Sequence, residues 1–266
     1  MSDEKKYNRI VHDNYSWFDK DKLIDPRDNY RKRYVIEIIK GLGKGLRVLD
    51  VGCGNGDFAV ELSNMGYIVV GMDVSSEAIK IAEHNNIKRV DNKKISFYSF
   101  NINNPEKELM NRFNDYFDVI IMMDVLEHIN DDYNALKTIN CLLYRYGHLI
   151  ISVPNNPFYW NNLDVLTGHY RRYTKKTVRS LLHNNDFVVE IMMIVGFPFN
   201  TLLMFIQSML SNNKDSAYIP KNGVMKKFYK IFYPLINLLF NVDKLFDFTN
   251  LGYEIIIKAK RIDNDE

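Results

Sequence analysis

The sequence predicts an α/β fold: a doubly wound, mostly parallel sheet of seven strands, with an N-terminal helical segment over residues 1–45 and a helical insertion at 196–250. Three observations predict it. Short apolar runs alternate with helically spaced segments of about ten residues, the pattern of a parallel sheet covered on both faces. The first of these runs ends in a glycine-rich turn, VLDVGCGNGDF at 48–58. The last two runs, 187–195 and 251–261, are separated by a long aromatic stretch with helical spacing, which they must enclose.

The elements follow in order. Residues 1–30 are polar and aromatic by turns, with Tyr15, Trp17 and Phe18 as expected packing anchors. From Asp28 to Lys40, the spacing of Tyr34, Val35, Ile38 and Ile39 predicts an amphipathic helix, ended by Gly41 and Gly43. RVLDVGCG (47–54) is a buried strand, followed by helical spacing from Phe58 to Met65. YIVVGMD (67–73) is a second strand, and Ser75 to His84 a helix with Ser75 or Ser76 as its cap. Strands are expected at 95–101, 117–124 and 148–154, with a helix from Asn134 to Tyr144 before the last. A helix from Thr174 to His183 precedes the final two strands. Within the insertion, TLLMFIQSML (201–210) and the stretch from Val224 to Phe248 are expected to be helical, with a kink at Pro234.

Composition narrows the function. A formal charge of +2 over 266 residues is too small for a protein living on phosphate contacts, so nucleic acid is not expected as a partner. The two cysteines, Cys53 and Cys141, lack metal-ligand spacing and are expected to be reduced thiols in a cytoplasmic protein. The start of the chain, MSDEKKYNRI, shows no export signal. No apolar run reaches the roughly 18 residues that a spanning helix needs.

The glycine turn carries the chemistry. It places Asp50, Gly52, Cys53, Gly54, Asn55 and Gly56 between a strand and a helix that opens near Asp57. Glycines there let a ligand approach the backbone, and the helix start offers free N–H groups. A dinucleotide fingerprint would need a third glycine at Asp57 or Ala59, and an acidic Asp57 would oppose a diphosphate. Asp50 can accept hydrogen bonds from a cationic amine. These features favour a cationic ligand without phosphate, for which S-adenosyl-L-methionine qualifies. Asp73 ends the next strand about 20 residues on, where a carboxylate can accept both ribose hydroxyls.

DVGCGNG followed by GMDVS resembles the first two cofactor motifs of class I S-adenosylmethionine-dependent methyltransferases. FDVIIMMDVLEHI followed by LIISVPN resembles the subgroup that includes ubiquinone-pathway O-methyltransferases. The resemblance covers residues 46–155 and implies a Rossmann-like methyltransferase domain over 46–266. It implies S-adenosyl-L-methionine contacts at Asp50, Gly52, Gly54, Asp73, Asn101, Ile102 and Met123, with Cys53, Asn55, Gly56, Val74 and Asp124 beside them. Asn101 stands where an acidic residue is common, and its amide oxygen can accept the same hydrogen bond. In that subgroup an acidic residue of the segment holding Glu127 is implicated in metal binding. Glu127 and His128 alone do not make a site, so no metal is expected, and helix capping or substrate gating is the expected role.

Ligands of open α/β sheets bind at the carboxyl ends of the strands. The acceptor is therefore expected against Asp124–His128 and the segment PNNPFYWNNLDVLTGHYRRYT, 154–174. His169 is the candidate base, with Glu127 and His128 as further catalytic candidates. Trp160, Tyr170, Arg171, Arg172 and Tyr173 are candidate acceptor contacts, the arginines binding an anionic group as paired donors. The activity implied is methyl transfer to an O or N atom of a small or lipid-like acceptor. Alternatives are a non-catalytic binding protein of the same fold, a nucleic-acid methyltransferase and an NAD-dependent oxidoreductase. The insertion is expected to cover the acceptor pocket, form a homodimer contact, or make peripheral membrane contact through 222–248, in that order.

Overall fold

The computed structural model describes residues 26–86, 94–210 and 223–262; the expected anchors Tyr15, Trp17 and Phe18 lie outside them. Seven strands form one sheet: β1 (Arg47–Val51), β2 (Ile68–Asp73), β3 (Ile95–Ser99), β4 (Phe117–Met123), β5 (Leu143–Pro154), β6 (Phe187–Val195) and β7 (Glu254–Arg261). Their order is β3-β2-β1-β4-β5-β7-β6. The strands from β3 to β5 pair in parallel, while β7 runs antiparallel between β5 and β6. The order reverses between β1 and β4, which opens the ligand crevice at their carboxyl ends.

Helices cover both faces: α1 (Pro26–Leu42), α2 (Asp57–Asn64), α3 (Ser76–Asn86), α4 (Lys107–Phe113), α5 (Asp132–Leu142), α6 (Asn162–Thr167), α7 (Lys175–His183), α8 (Phe199–Leu210) and α9 (Gly223–Asp243). The two-residue period of a strand divides the apolar runs between these layers. Leu49, Val51, Ile120 and Met122 join one buried cluster, and Val48, Val119 and Ile121 join the other. Because both faces are covered, these strands read as continuous apolar runs. Val35 and Ile39 of α1 are buried in the second cluster, so the N-terminal helix is part of the sheet's packing.

Among the boundaries that depart from expectation, three bear on the site's framework. Gly41 lies inside α1, which ends only at Leu42, before Gly43 takes a left-handed φ of 135°. The helix before β5 runs from Asp132 to Leu142, because Asp131 caps it by accepting from the Asn134 N–H. β5 then begins at Leu143, ahead of the expected His148. Its first residues, Tyr144 to Tyr146, are exposed and polar, so they lack the apolar signal that marks the rest of the strand.

The insertion forms α8 and α9 as expected, and α9 continues through Pro234. Both ends of the insertion lie at the carboxyl edge of the sheet, because β6 ends there and the antiparallel β7 starts there. Asp243, fully buried at the end of α9, accepts from the Phe199 and Asn200 N–H groups at the start of α8 (2.8 and 2.9 Å). A carboxylate on the free donors of a helix start is a favourable arrangement. Phe240 and Ile236 pack with Tyr30 and Tyr34 of α1, joining the insertion to the N-terminal helix.

Candidate functional site

The turn between β1 and α2 is built from left-handed glycines: Gly52, Gly54 and Gly56 have φ of 74°, 54° and 78°. Packing also requires two of them, Gly52 and Gly56. A Cβ on Gly52 would come within 2.5 Å of Val125, and one on Gly56 within 2.7 Å of the Phe97 ring. The glycines therefore serve the loop's own fit as well as any approaching ligand. Gly56 caps α2 without a side-chain hydrogen bond of its own, and the first N–H of the helix, that of Asp57, donates to Asn55 Oδ1 at 3.3 Å.

Asp73 holds this loop in place. Its buried carboxylate accepts from the Gly54 N–H at 2.9 Å and from the Ser75 N–H at 2.8 Å. Burial raises its pKa, and the two backbone bonds counter that rise. Each oxygen keeps a further lone pair, so acceptance from a ribose is compatible with the observed bonds. Asp50 is also buried, and its Oδ2 has no hydrogen-bond partner. Burial pushes its pKa up to about 7, with Lys32 opposing and Asp73 adding to the rise. A buried carboxylate oxygen left unmatched calls for a donor. The ammonium of S-adenosylmethionine is such a donor, and on this observation the residues present fit that group.

The other expected contacts surround the same crevice. Asn55 is buried and donates to Asp57 at 2.8 Å. Asn101 and Ile102 follow β3; the Asn101 Oδ1 accepts from the Asn103 N–H at 3.0 Å, so this oxygen is already engaged in its own turn. Val74 and Met123 are half-buried at the ends of β2 and β4. Cys53 is buried, and burial pushes its thiol pKa up, as a turn-filling residue requires and a nucleophile does not. Asp124 has a φ of 51° and receives the Ser152 hydroxyl at 3.1 Å.

Arg31 of α1 reaches across the carboxyl edge of the sheet to Asp124 (2.6 Å) and lies 3.5 Å from Glu254 at the start of β7. Neither Glu254 oxygen receives a well-directed hydrogen bond. Burial pushes Glu254 up to about 8, with Asp124 raising and Arg31 lowering it. Arg31 and Glu254 were absent from the sequence reading. The one available signal for Glu254 was a lone acid at the head of an apolar strand run.

Glu127 and His128 sit in a 3-10 turn, Leu126–His128. Glu127 is fully buried, and both of its oxygens lack partners. Burial, reinforced by Asp124, raises its pKa strongly. The helix-capping role expected of this pair is corrected, since Asp131 caps α5. His169 joins the cluster from the distant acceptor segment. Its Nδ1 lies 2.8 Å from Asp164 Oδ1, its Nε2 lies 3.9 Å from Glu127 Oε1, and its ring stands edge-on to His128 with centroids 4.6 Å apart. Ligand atoms of Glu127, His128 and His169 all lie within 4.8 Å of one another.

The expected anion-binding arginines are corrected by their placement. Arg172 is buried and donates to Asp164 at 2.8 Å and to the Asn155 carbonyl at 3.3 Å. Arg171 is held by Asp132 at 2.6 Å and by the Asn130 carbonyl. Tyr173 is buried and donates to Asp132 at 2.9 Å. Arg172 and Tyr173 thus brace the segment from inside, leaving Trp160 and Tyr170 exposed at its surface. Asp164 organises this arrangement. Burial acts to raise its pKa, but bonds from His169 and Arg172 outweigh that and hold it below the usual range. The sequence reading passed over Asp164, although Asn161 and Asp164 form a capping box that spacing alone could have suggested.

Comparison with known proteins bears on this site. A family described as a methyltransferase domain matches residues 26–190. The chain is 29% identical over 160 residues to a ubiquinone biosynthesis O-methyltransferase of Nitrosomonas europaea, an overlap of 58% of this chain and 63% of that protein. It is 30% identical over 166 residues to the protein of the same name from Pelagibacter ubique, covering 57% and 63%. The chain thus spans less than two-thirds of the length of these two relatives. Among solved structures, the N-methyltransferase NodS from Bradyrhizobium japonicum WM9, with bound S-adenosyl-l-homocysteine, superposes with a TM-score of 0.59 at 14% identity, covering 99% and 100% of the two chains. Magnesium protoporphyrin IX methyltransferase from Synechocystis PCC 6803 gives 0.55 at 16% identity, covering 97% and 93%. At these identities, the structural likeness concerns the fold.

Proposed function

The chain belongs to the methyltransferase-domain family, and on that premise we propose that it transfers a methyl group from S-adenosylmethionine to a hydroxyl or amine of a small or lipid-like acceptor. The observation that carries the proposal is the shared edge. The loop held by Asp73 and the Asp164–His169–Glu127 line both lie at the carboxyl ends of the central strands. Asp50 would receive the ammonium and Asp73 the ribose, with Asn101, Ile102 and Met123 on the adenine side. Bound there, S-adenosylmethionine supplies an electrophilic methyl on a positively charged sulfur.

The chain's own residues orient the acceptor and hold its proton. As the acceptor's lone pair bonds to the methyl carbon, the carbon–sulfur bond breaks and the acceptor's proton must leave. With Nδ1–H donated to Asp164, His169 presents the Nε2 lone pair to take that proton. Glu127, whose pKa is raised by burial and by Asp124, stands beside it. Trp160 and Tyr170 would bound the acceptor on the exposed side. His169→Ala is expected to lower turnover by about 10²–10⁴-fold at constant affinity for S-adenosylhomocysteine. The assay follows labelled methyl transfer to a panel of phenols, catechols and amines. Micromolar NAD binding without a response to S-adenosylmethionine would overturn the proposal.

A second reading has its own observation, the convergence of Glu127, His128 and His169 with Asp164 behind the His169 ring. Two imidazoles and a carboxylate, one ring fixed by a second carboxylate, can hold a divalent ion. Activity unchanged by EDTA favours the proton relay. Activity abolished by EDTA and restored by magnesium or zinc favours the ion.

A further inference from the structure

Four carboxyl oxygens at the carboxyl edge of the sheet receive no well-directed hydrogen bond, and they belong to two side chains. Glu127 is fully buried and Glu254 is 1% exposed. The ion-pair contacts they do make are long: His169 Nε2 stands 3.9 Å from Glu127, and Arg31 stands 3.5 Å from Glu254. Buried polar atoms are nearly always matched, and each exception calls for an explanation.

The two glutamates belong to one group with Asp124, whose charge acts on both of them, as does that of Arg31. Arg31 is engaged by Asp124 at 2.6 Å and by Asp28. Arg27, buried nearby, acts on Tyr253. On its other side Glu127 meets the pair His128 and His169. The Asp124 side chain is 31% exposed, so it is the member through which the group opens to solvent. The arginines predicted to receive an anionic acceptor, Arg171 and Arg172, are held by Asp132 and Asp164. What this edge offers an acceptor is therefore carboxyl oxygen.

Donor counts decide what such a set can take. An ammonium carries three N–H donors and no acceptor, whereas a neutral hydroxyl carries one donor. A carboxylate or phosphate would set oxygen against oxygen. Buried carboxylates are costly when left unpaired and are stabilised by a cation that also hydrogen-bonds to them.

We propose that the acceptor is an amine, docked as its ammonium against Asp124 with Glu127 and Glu254 behind, and that these carboxyls select it over hydroxyl and anionic acceptors. The proposal names an acceptor class within the methyltransferase reading and rests on it. The ammonium gives one proton to His169 Nε2, which frees a lone pair on nitrogen. That lone pair bonds to the methyl carbon while the carbon–sulfur bond pair withdraws to sulfur. The product is an N-methylated ammonium, and the proton on His169 passes to water. Positive charge leaves sulfur and grows on nitrogen, where the carboxyls stabilise it as it develops.

Calorimetry with S-adenosylhomocysteine comes first and tests the cofactor reading by itself. The full chain saturated with S-adenosylhomocysteine, in EDTA, is then titrated with primary alkyl and aryl amines, the alcohols and carboxylates of the same skeletons, and catechol. Ligand-observed NMR reads the binding. Amines should bind at least about tenfold tighter than the matched alcohols, and carboxylates not detectably. Glu127→Gln and Glu254→Gln keep the side-chain shape and remove the charge; each should weaken amine binding by about tenfold or more and leave alcohol binding unchanged. Melting of each variant reports on the fold, and the matched series on the wild-type chain stands without them. With S-adenosylmethionine present, mass spectrometry should find the added methyl on the amine. Bound S-adenosylhomocysteine together with a preference for alcohols, catechol or carboxylates would overturn the proposal and leave the methyltransferase reading standing. So would an absence of amine binding, or amine binding undiminished in both variants. Catechol binding that appears with magnesium and vanishes with EDTA would also overturn it, by giving the unmatched oxygens to an ion. A chain that does not bind S-adenosylhomocysteine would overturn both.

Discussion

Asp73→Ala tests how the cofactor loop is held. The carboxylate accepts two buried backbone N–H groups, from Gly54 and Ser75. Alanine leaves both donors buried and unmatched, at about 1–3 kcal/mol each, or roughly 2–6 kcal/mol of stability. At about 2–4 °C per kcal/mol for a chain of this size, melting should fall by roughly 5–20 °C. A carboxylate that only accepted ribose hydroxyls could be removed with the fold intact. The structure instead predicts coupled losses, because on the proposed binding mode the carboxylate that holds the loop also receives the ribose. Scanning fluorimetry measures the first loss and calorimetry with S-adenosylhomocysteine the second, expected at about tenfold or more. Asp73→Asn, which keeps one acceptor oxygen, should fall between wild type and alanine. Melting of Asp73→Ala within about 2 °C of wild type would refute the claim that the loop hangs on this residue.

Arg172→Ala should act on stability and not on the acceptor's Michaelis constant. It strips a cation from the buried Asp164, a change that costs about 3–5 kcal/mol, readable in urea denaturation. Ligand-free stability should decline as pH rises from about 5 to 8. Asp50 at about 7 and Glu254 at about 8 hold protons in the native state that the unfolded chain has already released. Native protons in excess make stability fall with pH until both groups ionise; urea midpoints rising across this interval would contradict those burials. For the same reason, S-adenosylmethionine binding near pH 6 should release a proton as Asp50 ionises beside the ammonium, which calorimetry in buffers of different ionisation enthalpy detects. Gly56→Ala should destabilise by more than about 1 kcal/mol, because its φ of 78° and the Phe97 ring both oppose a Cβ; unchanged melting would count against that fit.

The sequence by itself determined the sheet, the cofactor turn and the place of the insertion. These are local properties. A buried parallel strand is written as an apolar run, a left-handed turn as glycines, and the carboxylate that holds this turn as an acid at the next strand's end. Each signal lies within about ten residues, where periodicity and turn chemistry act. The exposed start of β5 shows the limit, since Tyr144 to Tyr146 lie in the register break between Leu143 and His148 and carry no apolar alternation that would announce a strand.

Tertiary structure alone decided which charges meet. His169 was picked out by its neighbours in sequence, but its partners Asp164 and Glu127 belong to different segments, and Arg31 reaches Asp124 and Glu254 from the N-terminal helix. Arg172 read as a free donor for an anionic acceptor because a sequence shows a charge without its burial, and the fold turned it inward onto Asp164. The apolar spacing of α8 was equally ambiguous, since a stripe of leucine, phenylalanine, isoleucine and methionine is written the same way whether the core covers it or solvent does. Burial and charge pairing are sums over residues distant in the chain, so they exist only once the chain has folded.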